Sequence, residues 1–399
     1  MLTKTLMVSQ PGAAWRKELS RWAVLALYLL MTVQFVGCYL FLGRSYIDLD
    51  RFGHGYERLP FQTRLLLAPL FRWAQSSPHM IHYASQLAMN GYFFPHGVGP
   101  GGVVQLYLDI PCVLIAGWVA VRLYQASSRQ HLLTWLVYPL FLVLCTVSYI
   151  LHAVQNYRFI YDMPSMAFFG LGLYLIYFRK SVIWLVALFA VATWNRETTL
   201  FLIPFFLLSA CVRERHPTLA ELSAEKAQGG HSGQGSLLPM HVSPGSEWFE
   251  WRRALRPEVA VPALLMLVYW TAWHVFIFHL FRHNSSEYFP RIGFNWQCIR
   301  RLRYYPQLLS AFGYLLPFLV IYRKQVHDAQ LRIWMFAIPA WYAVMAVWGI
   351  LVETRVFGEL LPFVACAAML VAEEAVVAAI QKRGLSQNEG DRARLFRAA

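Results

Sequence analysis

The sequence predicts an all-α polytopic membrane protein with about ten transmembrane helices and interfacial helices in a long first outer loop. Three observations carry this. The chain is 58% hydrophobic and only 14% charged, whereas a soluble domain carries about a quarter charged residues. Several of its apolar runs reach the length of about 20 residues that a helix needs to cross a bilayer. Its basic residues also alternate along the chain in a way that fits a fixed orientation in a membrane.

In order, the predicted spans are roughly 22–42, 102–121, 132–152, 161–178, 181–194, 198–212, 259–281, 308–322, 333–350 and 359–380. The first apolar run is too long for the core of a signal peptide, and no small-x-small cleavage site follows it, so it reads as a retained span. With the N-terminus inside, the inner segments hold 22 of the 35 Lys and Arg residues, including all six lysines (Lys4, Lys17, Lys180, Lys226, Lys324, Lys382). The outer segments carry arginine only. This matches the excess of basic residues on cytoplasmic loops and puts both termini of an even-span protein in the cytoplasm. The segment 213–258, with its "QGGHSGQGSLLPMHVSPGS", is rich in Gly, Ser and Pro and has no apolar period. It reads as a flexible cytoplasmic linker. The chain then divides into an N-terminal transmembrane module (1–212, with its outer loop 43–101), the linker, a C-terminal module (259–383) and a cytoplasmic tail (384–399).

The net charge of +14 does not imply nucleic acid, because the basic residues are spread over short loops between spans. Membrane lipid head groups or lipid phosphates are the fitting partners. Five cysteines (Cys38, Cys112, Cys145, Cys211, Cys366) fall in or beside apolar runs and Cys298 stands in a loop. Neither a disulfide framework nor a metal spacing emerges, so no metal ligands are assigned. The histidines of 213–258 read as part of a solvated linker.

Polar residues collect on the outer face. The loop 43–101 is long for a structureless segment, is aromatic, and contains amphipathic pieces such as "TRLLLAPLFRWA", which read as helices in the interface plane. It also holds Asp48, Asp50 and Arg64. A second cluster, "HAVQNYRFIYDMPSM", supplies Asn156, Arg158 and Asp162. A third is Asn195-Arg196-Glu197, between two apolar runs that are each short for a span and together too long for one. These read as a helical hairpin with the polar triplet at its tip. A charge there must face a protein-lined cavity or a partner rather than lipid. A fourth, "VETRVFGELLP", contains Glu353, Arg355 and Glu359, and the loop 282–307 adds Arg282, Arg291, Arg300, Arg301 and Arg303.

Each residue has a structural alternative. Arg196 and Glu197 can form an ion pair that turns a hairpin. Asp162 can cap the fourth span through its carboxylate. Glu353 with Arg355 can be a local loop pair, and Asp48 and Asp50 an ordinary solvated stretch. Asp109, inside the second run, can bond a neighbouring helix or line a cavity. The joint pattern is more specific, because arginine–carboxylate clusters recur on one side and are separated by whole spans. Arginine suits bidentate phosphate contacts. Such a cavity can hold a lipid-linked phosphate and still supply a general base.

The layout of an N-in first span followed by a long outer loop that starts with acidic residues resembles the GT-C superfamily of membrane glycosyltransferases. The wording "DLDRFGHGYERLPFQTRLLLAPL", "YDMPSMAFFGLGLYL", "NRETTLFLIPFFLL" and "ETRVFGELLPF" resembles a related set of uncharacterised bacterial integral membrane proteins often placed near those enzymes. The resemblance implies transfer of a sugar from a polyprenyl-phosphate donor to an acceptor hydroxyl at the outer face of the cytoplasmic membrane. Asp48 or Asp50 would be the base that activates that hydroxyl. Arg64, Arg158, Arg196 and Arg355 would neutralise the leaving phosphate, Asp162 and Glu197 would orient them or bind sugar hydroxyls, and Asn195 and Glu353 would be further phosphate- or substrate-binding residues. The implied donor is a polyprenyl-phosphate sugar, no cofactor is assigned, and nothing in the residues calls for a divalent metal. The chain departs from the family in splitting Asp48 from Asp50 by Leu49, in having few spans and in lacking a late soluble domain. The competing classes are a glycan polymerase or ligase, a transporter or flippase with broken helices near the midplane, and a non-catalytic scaffold.

Overall fold

A computed structural model describes residues 11–89, 99–151, 157–212 and 249–398. Residues 213–248 of the linker expected over 213–258, and Asn156 of the second outer cluster, lie outside the described residues; the end of that expected linker is not a flexible stretch but carries a 3-10 turn, Trp251–Leu255, and the start of the helix Pro257–Leu280. The described chain is all-α, apart from two-residue strands β1 (Arg44–Ser45) and β2 (Tyr157–Arg158) that pair in parallel.

Helix α1 (Pro11–Leu42) contains the first apolar span, Ser20–Leu42. The loop 43–101, expected at the outer face, contains α2 (Leu49–His54), α3 (Ala68–Ser76) and α4 (Pro78–Met89) among its described residues. Helix α3 is amphipathic as its sequence requires: Phe71 and Ala74 are buried while Leu70 and Trp73 are exposed. Next come α5 (Pro100–Ser127), α6 (Thr134–Tyr149), α7 (Asp162–Tyr177), α8 (Val182–Thr193) and α9 (Leu202–Ala210). The second half contains α10 (Pro257–Leu280), α11 (Ile292–Arg300), α12 (Tyr305–Leu309), α13 (Leu315–Tyr322), α14 (Ala329–Trp334), α15 (Ala337–Trp348) and α16 (Leu361–Ala398). Helix α16 runs unbroken through the stretch that the sequence assigns to a tail.

Among the described residues, five helical segments are long and apolar enough to cross a membrane: Ser20–Leu42, Pro100–Ser127, Pro257–Leu280, Ala329–Trp348 and Thr354–Lys382. The pair Leu302–Leu309 and Ala311–Gln325, bent by 84°, makes a sixth if it is counted as one span. Helices stand where the sequence places the spans at 132–152, 161–178, 181–194 and 198–212. Each has 16 residues or fewer, below the ~20 of a full crossing.

Helices α5 and α16 form the centre, and α5 packs on α1, α6, α7 and α16. Small residues make this possible, as expected where lipid gives no hydrophobic drive to helix association. Gly117 of α5 sits under the Tyr138 ring, and α16 buries Ala365, Cys366 and Ala367 completely. The peripheral helices α1 and α10 instead expose Trp22, Leu30, Leu264 and Val275, the pattern of a lipid-facing surface.

The segment 178–211 is a hairpin whose tip carries the polar triplet. At one end of α7, Gln330 reaches both the Ile176 carbonyl and Ser209 Oγ, in the last turns of α7 and α9. At the other end, Asp162, the first residue of α7, meets Arg196 between α8 and α9. The hairpin arms thus run the length of α7. The base of the next connection is also closed: Val212 pairs with Phe249 and Glu250 N donates to Cys211 O at 2.9 Å, so the two ends of the linker meet.

The helix breaks are local and explicable at two places. Gly358, in the 3-10 segment Thr354–Leu360, sits directly against the Tyr149 hydroxyl. Gly358→Ala is expected to push the buried Tyr149 aside and lower stability by about 1–3 kcal/mol, seen as a fall in the thermal midpoint in detergent. At 312–314, Phe312, Gly313 and Tyr314 all have positive φ (55°, 61° and 64°), which bends the chain between α12 and α13. Bulky residues rarely adopt this conformation. Phe312 is held there by burial against Phe357 and Tyr342.

Candidate functional site

A cavity of about 740 Å³ opens at the end of the bundle that carries the first outer loop, the hairpin tip and the segment 349–356. Its charged lining comprises Arg64, Arg196, Arg291 and Arg355 with Asp162, Glu197, Glu287 and Glu353. Its apolar lining includes Leu200, Ile203 and Pro204 with Leu267 of α10 and Val344 and Met345 of α15. The aromatic residues Tyr46, Trp270, Tyr288 and Trp348 also line it.

The hairpin tip splits its two charges. Arg196 has extended backbone (φ −161°, ψ 146°), and consecutive side chains on extended chain point to opposite sides. Arg196 and Glu197 therefore face different partners, and the sequence alternative in which they pair with each other does not hold. Arg196 Nη1 lies 3.2 Å from Asp162 Oδ1 and 3.3 Å from Glu359 Oε1, with all three side chains at most 8% exposed. Tyr39 donates to Asp162 Oδ2 at 3.1 Å and Thr198 to Glu359 Oε1 at 2.6 Å. Asp162 is the first residue of α7, not its cap; the guanidinium claims its carboxylate in place of the backbone N–H groups. Asn195 stands behind the cavity, donating to Tyr161 O and Ser165 Oγ.

Glu197 turns the other way and takes Arg64 of the first outer loop. Arg64 Nε lies 3.2 and 3.1 Å from the two Glu197 oxygens, and Nη2 lies 3.0 Å from Oε2. Arg64 also stacks on the Tyr161 ring at 3.9 Å. Trp270 of α10 donates to the Glu197 carbonyl. Arg355 repeats this arrangement: Nη2 is 2.6 Å from Glu353 Oε2, Nη1 donates to Tyr157 O, and the guanidinium lies 3.8 Å over Phe159. Glu353 is 30% exposed at the side chain.

The loop 282–291 closes the remaining side by clipping onto the first outer loop. Leu59 N donates to Ser285 O and Glu287 N to Leu59 O, both at 2.8 Å. Asn284 Nδ2 reaches the carbonyls of Gly55 and Glu57. Glu287 accepts from Tyr46 and pairs with Arg58 at 3.1 Å. Burial, and after it the Glu287 charge, raise the pKa of the Tyr46 hydroxyl, so it stays a donor at neutral pH. Arg291 lies 3.7 Å over Phe289 and donates to the Glu287 carbonyl. Among the described residues it forms no ion pair, unlike Arg64 and Arg355.

Of the site residues expected from sequence, Arg64, Asp162, Arg196, Glu197, Glu353 and Arg355 come together around the cavity. Asp48 and Asp50 do not. Asp48 caps α2, its Oδ1 accepting from the N–H groups of Asp50 and Arg51, and Asp50 is 74% exposed beside His54. The cap accounts for Asp48: Asp48→Ala is expected to cost about 0.5–2 kcal/mol, measured by denaturation. Arg158 is also outside the lining. It bonds the Leu40 carbonyl at 2.7 Å at the junction of α1 and β2, where burial lowers its pKa. Asp109 is fully buried on α5 and is not part of the cavity wall. Arg291 was named among the arginines of the loop 282–307, whereas Glu287, Trp270 and Trp348 were not singled out by sequence: Glu287 stands in that same loop and the tryptophans are hidden inside apolar runs. Cys298, placed in a loop by sequence, is buried on α11. Among the described residues no group of three or more His, Cys, Asp or Glu is placed to hold a metal ion.

Comparison of the chain with protein-family models, with curated proteins and with solved structures finds no match in any of the three. Fold and cavity together define a helical membrane protein with an arginine-rich, apolar-walled cavity at one end of its bundle.

Proposed function

We propose that the protein is a GT-C-like membrane glycosyltransferase, moving a sugar from a polyprenyl-phosphate donor to an acceptor hydroxyl. The reading places ten membrane-embedded helical segments in the cytoplasmic membrane, four of them short, with both termini cytoplasmic and the cavity at the outer face. The observation that carries it is the composition of the cavity. Its arginines suit a phosphate, the apolar lining from α10 and α15 suits the attached hydrocarbon, and the aromatic residues that also line it suit the faces of a sugar. Few other ligands combine all three.

In this reading the acceptor hydroxyl attacks the anomeric carbon, the bond from that carbon to the phosphate oxygen breaks, and the phosphate leaves with the electron pair. Arg291, Arg64 and Arg355 stabilise the negative charge that develops on it. The base must lie in the cavity, which turns the assignment from Asp48 and Asp50 to Glu353. Glu353 is the lining carboxylate held by one partner, and an arriving phosphate that takes Arg355 frees it to accept the hydroxyl proton. Asp162 and Glu359 hold Arg196 in place.

The test is a transfer assay on purified protein in lipid, with a panel of polyprenyl-phosphate sugars and detection of free polyprenyl phosphate. Release that vanishes in Arg355→Gln supports the reading; no release from any donor by folded protein overturns it. The bend at 310–314 favours one second reading, a transporter of a lipid-linked or anionic substrate, since interrupted segments then occur in both halves. Substrate-dependent movement of a labelled lipid-linked phosphate across a vesicle membrane, without release of sugar, would select it.

A further inference from the structure

We infer that α11 and the turn after it form a docking surface for anionic phospholipid at the rim of the cavity. This surface is separate from the cavity and its donor. Helix α11 is held from one side only. Asn295 is 2% exposed; its Nδ2 donates to the carbonyls of Ala346 and Gly349 at 2.9 and 2.8 Å, and its Oδ1 accepts from Leu351 N at 3.0 Å. These bonds pin α11 against the C-terminal end of α15. Arg291, the residue before α11, lines the cavity, so the helix is continuous with its mouth.

The rest of α11 is amphipathic in a way that water does not explain. Ile292, Trp296 and Ile299, at i, i+4 and i+7, form an apolar stripe that is 56%, 58% and 38% exposed, and Leu302 just beyond is 81% exposed. Nine residues span only about 14 Å, too short to cross a bilayer. An exposed apolar stripe on so short a helix fits one lying in the interface plane with the stripe in the acyl boundary. Arg300, Arg301 and Arg303 are exposed directly after it. From Tyr288 to Tyr322 the sequence contains no Asp or Glu, so no carboxylate close by in the sequence neutralises them. Basic residues clustered near an anionic membrane surface add to its attraction. The charge selects a phospholipid with a net negative head group over a zwitterionic one.

The experiment uses the full-length protein with an equimolar mixture of phosphatidylglycerol and phosphatidylcholine, without sugar donor, and reads retained lipid by native mass spectrometry. The expected result is preferential retention of phosphatidylglycerol, falling at least about fivefold in the variant carrying Arg300→Gln, Arg301→Gln and Arg303→Gln. A second reading uses quenching by brominated phosphatidylglycerol, taking the difference between wild type and Trp296→Phe. Trp296 is expected to be quenched. Unchanged lipid preference in a folded triple variant overturns the proposal, and so does an unquenched Trp296. An outcome in which the arginines bind an acidic protein and no lipid also overturns it. Neither measurement depends on transfer activity, so a failed glycosyltransferase reading leaves this result interpretable.

Discussion

Replacing Arg196 with Met is expected to cost about 3–5 kcal/mol, the largest single effect on stability in the molecule. The reason is what remains. Asp162 and Glu359 are 1% and 2% exposed at their side chains and share the one guanidinium between them. Without it, two carboxylates face each other in the interior with only Tyr39 and Thr198 as donors. Breaking a buried pair by removing one partner leaves an uncompensated buried charge, which costs far more than the pair itself contributes. The measurement is the thermal or denaturant midpoint of the variant in a fixed detergent. Arg196→Lys keeps the charge but loses the rigid planar guanidinium whose Nη1 meets both carboxylates, so it should fall between wild type and Arg196→Met. The double change Asp162→Asn with Arg196→Met should be less damaging than Arg196→Met alone, because it removes one of the stranded charges. If Arg196→Met unfolds at the wild-type midpoint, the triad is not what holds the hairpin tip to α7 and the 3-10 segment Thr354–Leu360.

The second large effect concerns catalysis. Glu353→Gln is expected to lower release of polyprenyl phosphate by about 10²–10⁴-fold, the usual contribution of a general base, with an unchanged unfolding midpoint. Asp48→Asn and Asp50→Asn, singly and together, are expected to stay within a few-fold of wild type, because neither carboxylate lines the cavity. The opposite result, with Glu353→Gln active and the Asp48/Asp50 pair dead, would return the base to the first outer loop.

The sequence made the helical membrane class legible, because long apolar runs and scarce charges leave few alternatives. It also placed the polar clusters on one side, and the structure brings six of their residues to one cavity. What it could not show is how the clusters divide their work. Arg196 and Glu197 are adjacent in the chain, yet the extended backbone sends one into a buried triad and the other to Arg64; pairing of neighbours is the natural reading of a string. Asp48 was a candidate base because the family resemblance puts an acidic residue in that loop, but a carboxylate two residues before Asp50 N–H serves equally well as a helix cap. The place of Glu287 and Arg291 at the cavity was hidden for another reason. Their place is set by backbone bonds between Leu59 and residues 285–287, a contact more than two hundred residues apart that no local pattern encodes. The bend at 312–314 was also invisible, since Phe-Gly-Tyr carries only one residue suited to positive φ.

The central claim is that the cavity takes a phosphate joined to an apolar chain. The most direct measurement is the affinity of the purified protein for farnesyl phosphate and for farnesol, read by the fluorescence of the cavity tryptophans Trp270 and Trp348 against variants in which each is Phe. The account predicts that the phosphate binds at least about thirtyfold tighter than the alcohol, a difference of about 2 kcal/mol, and that Arg291→Gln with Arg355→Gln removes the difference. Equal affinity for the two ligands, or a preference that survives loss of both arginines, would contradict it.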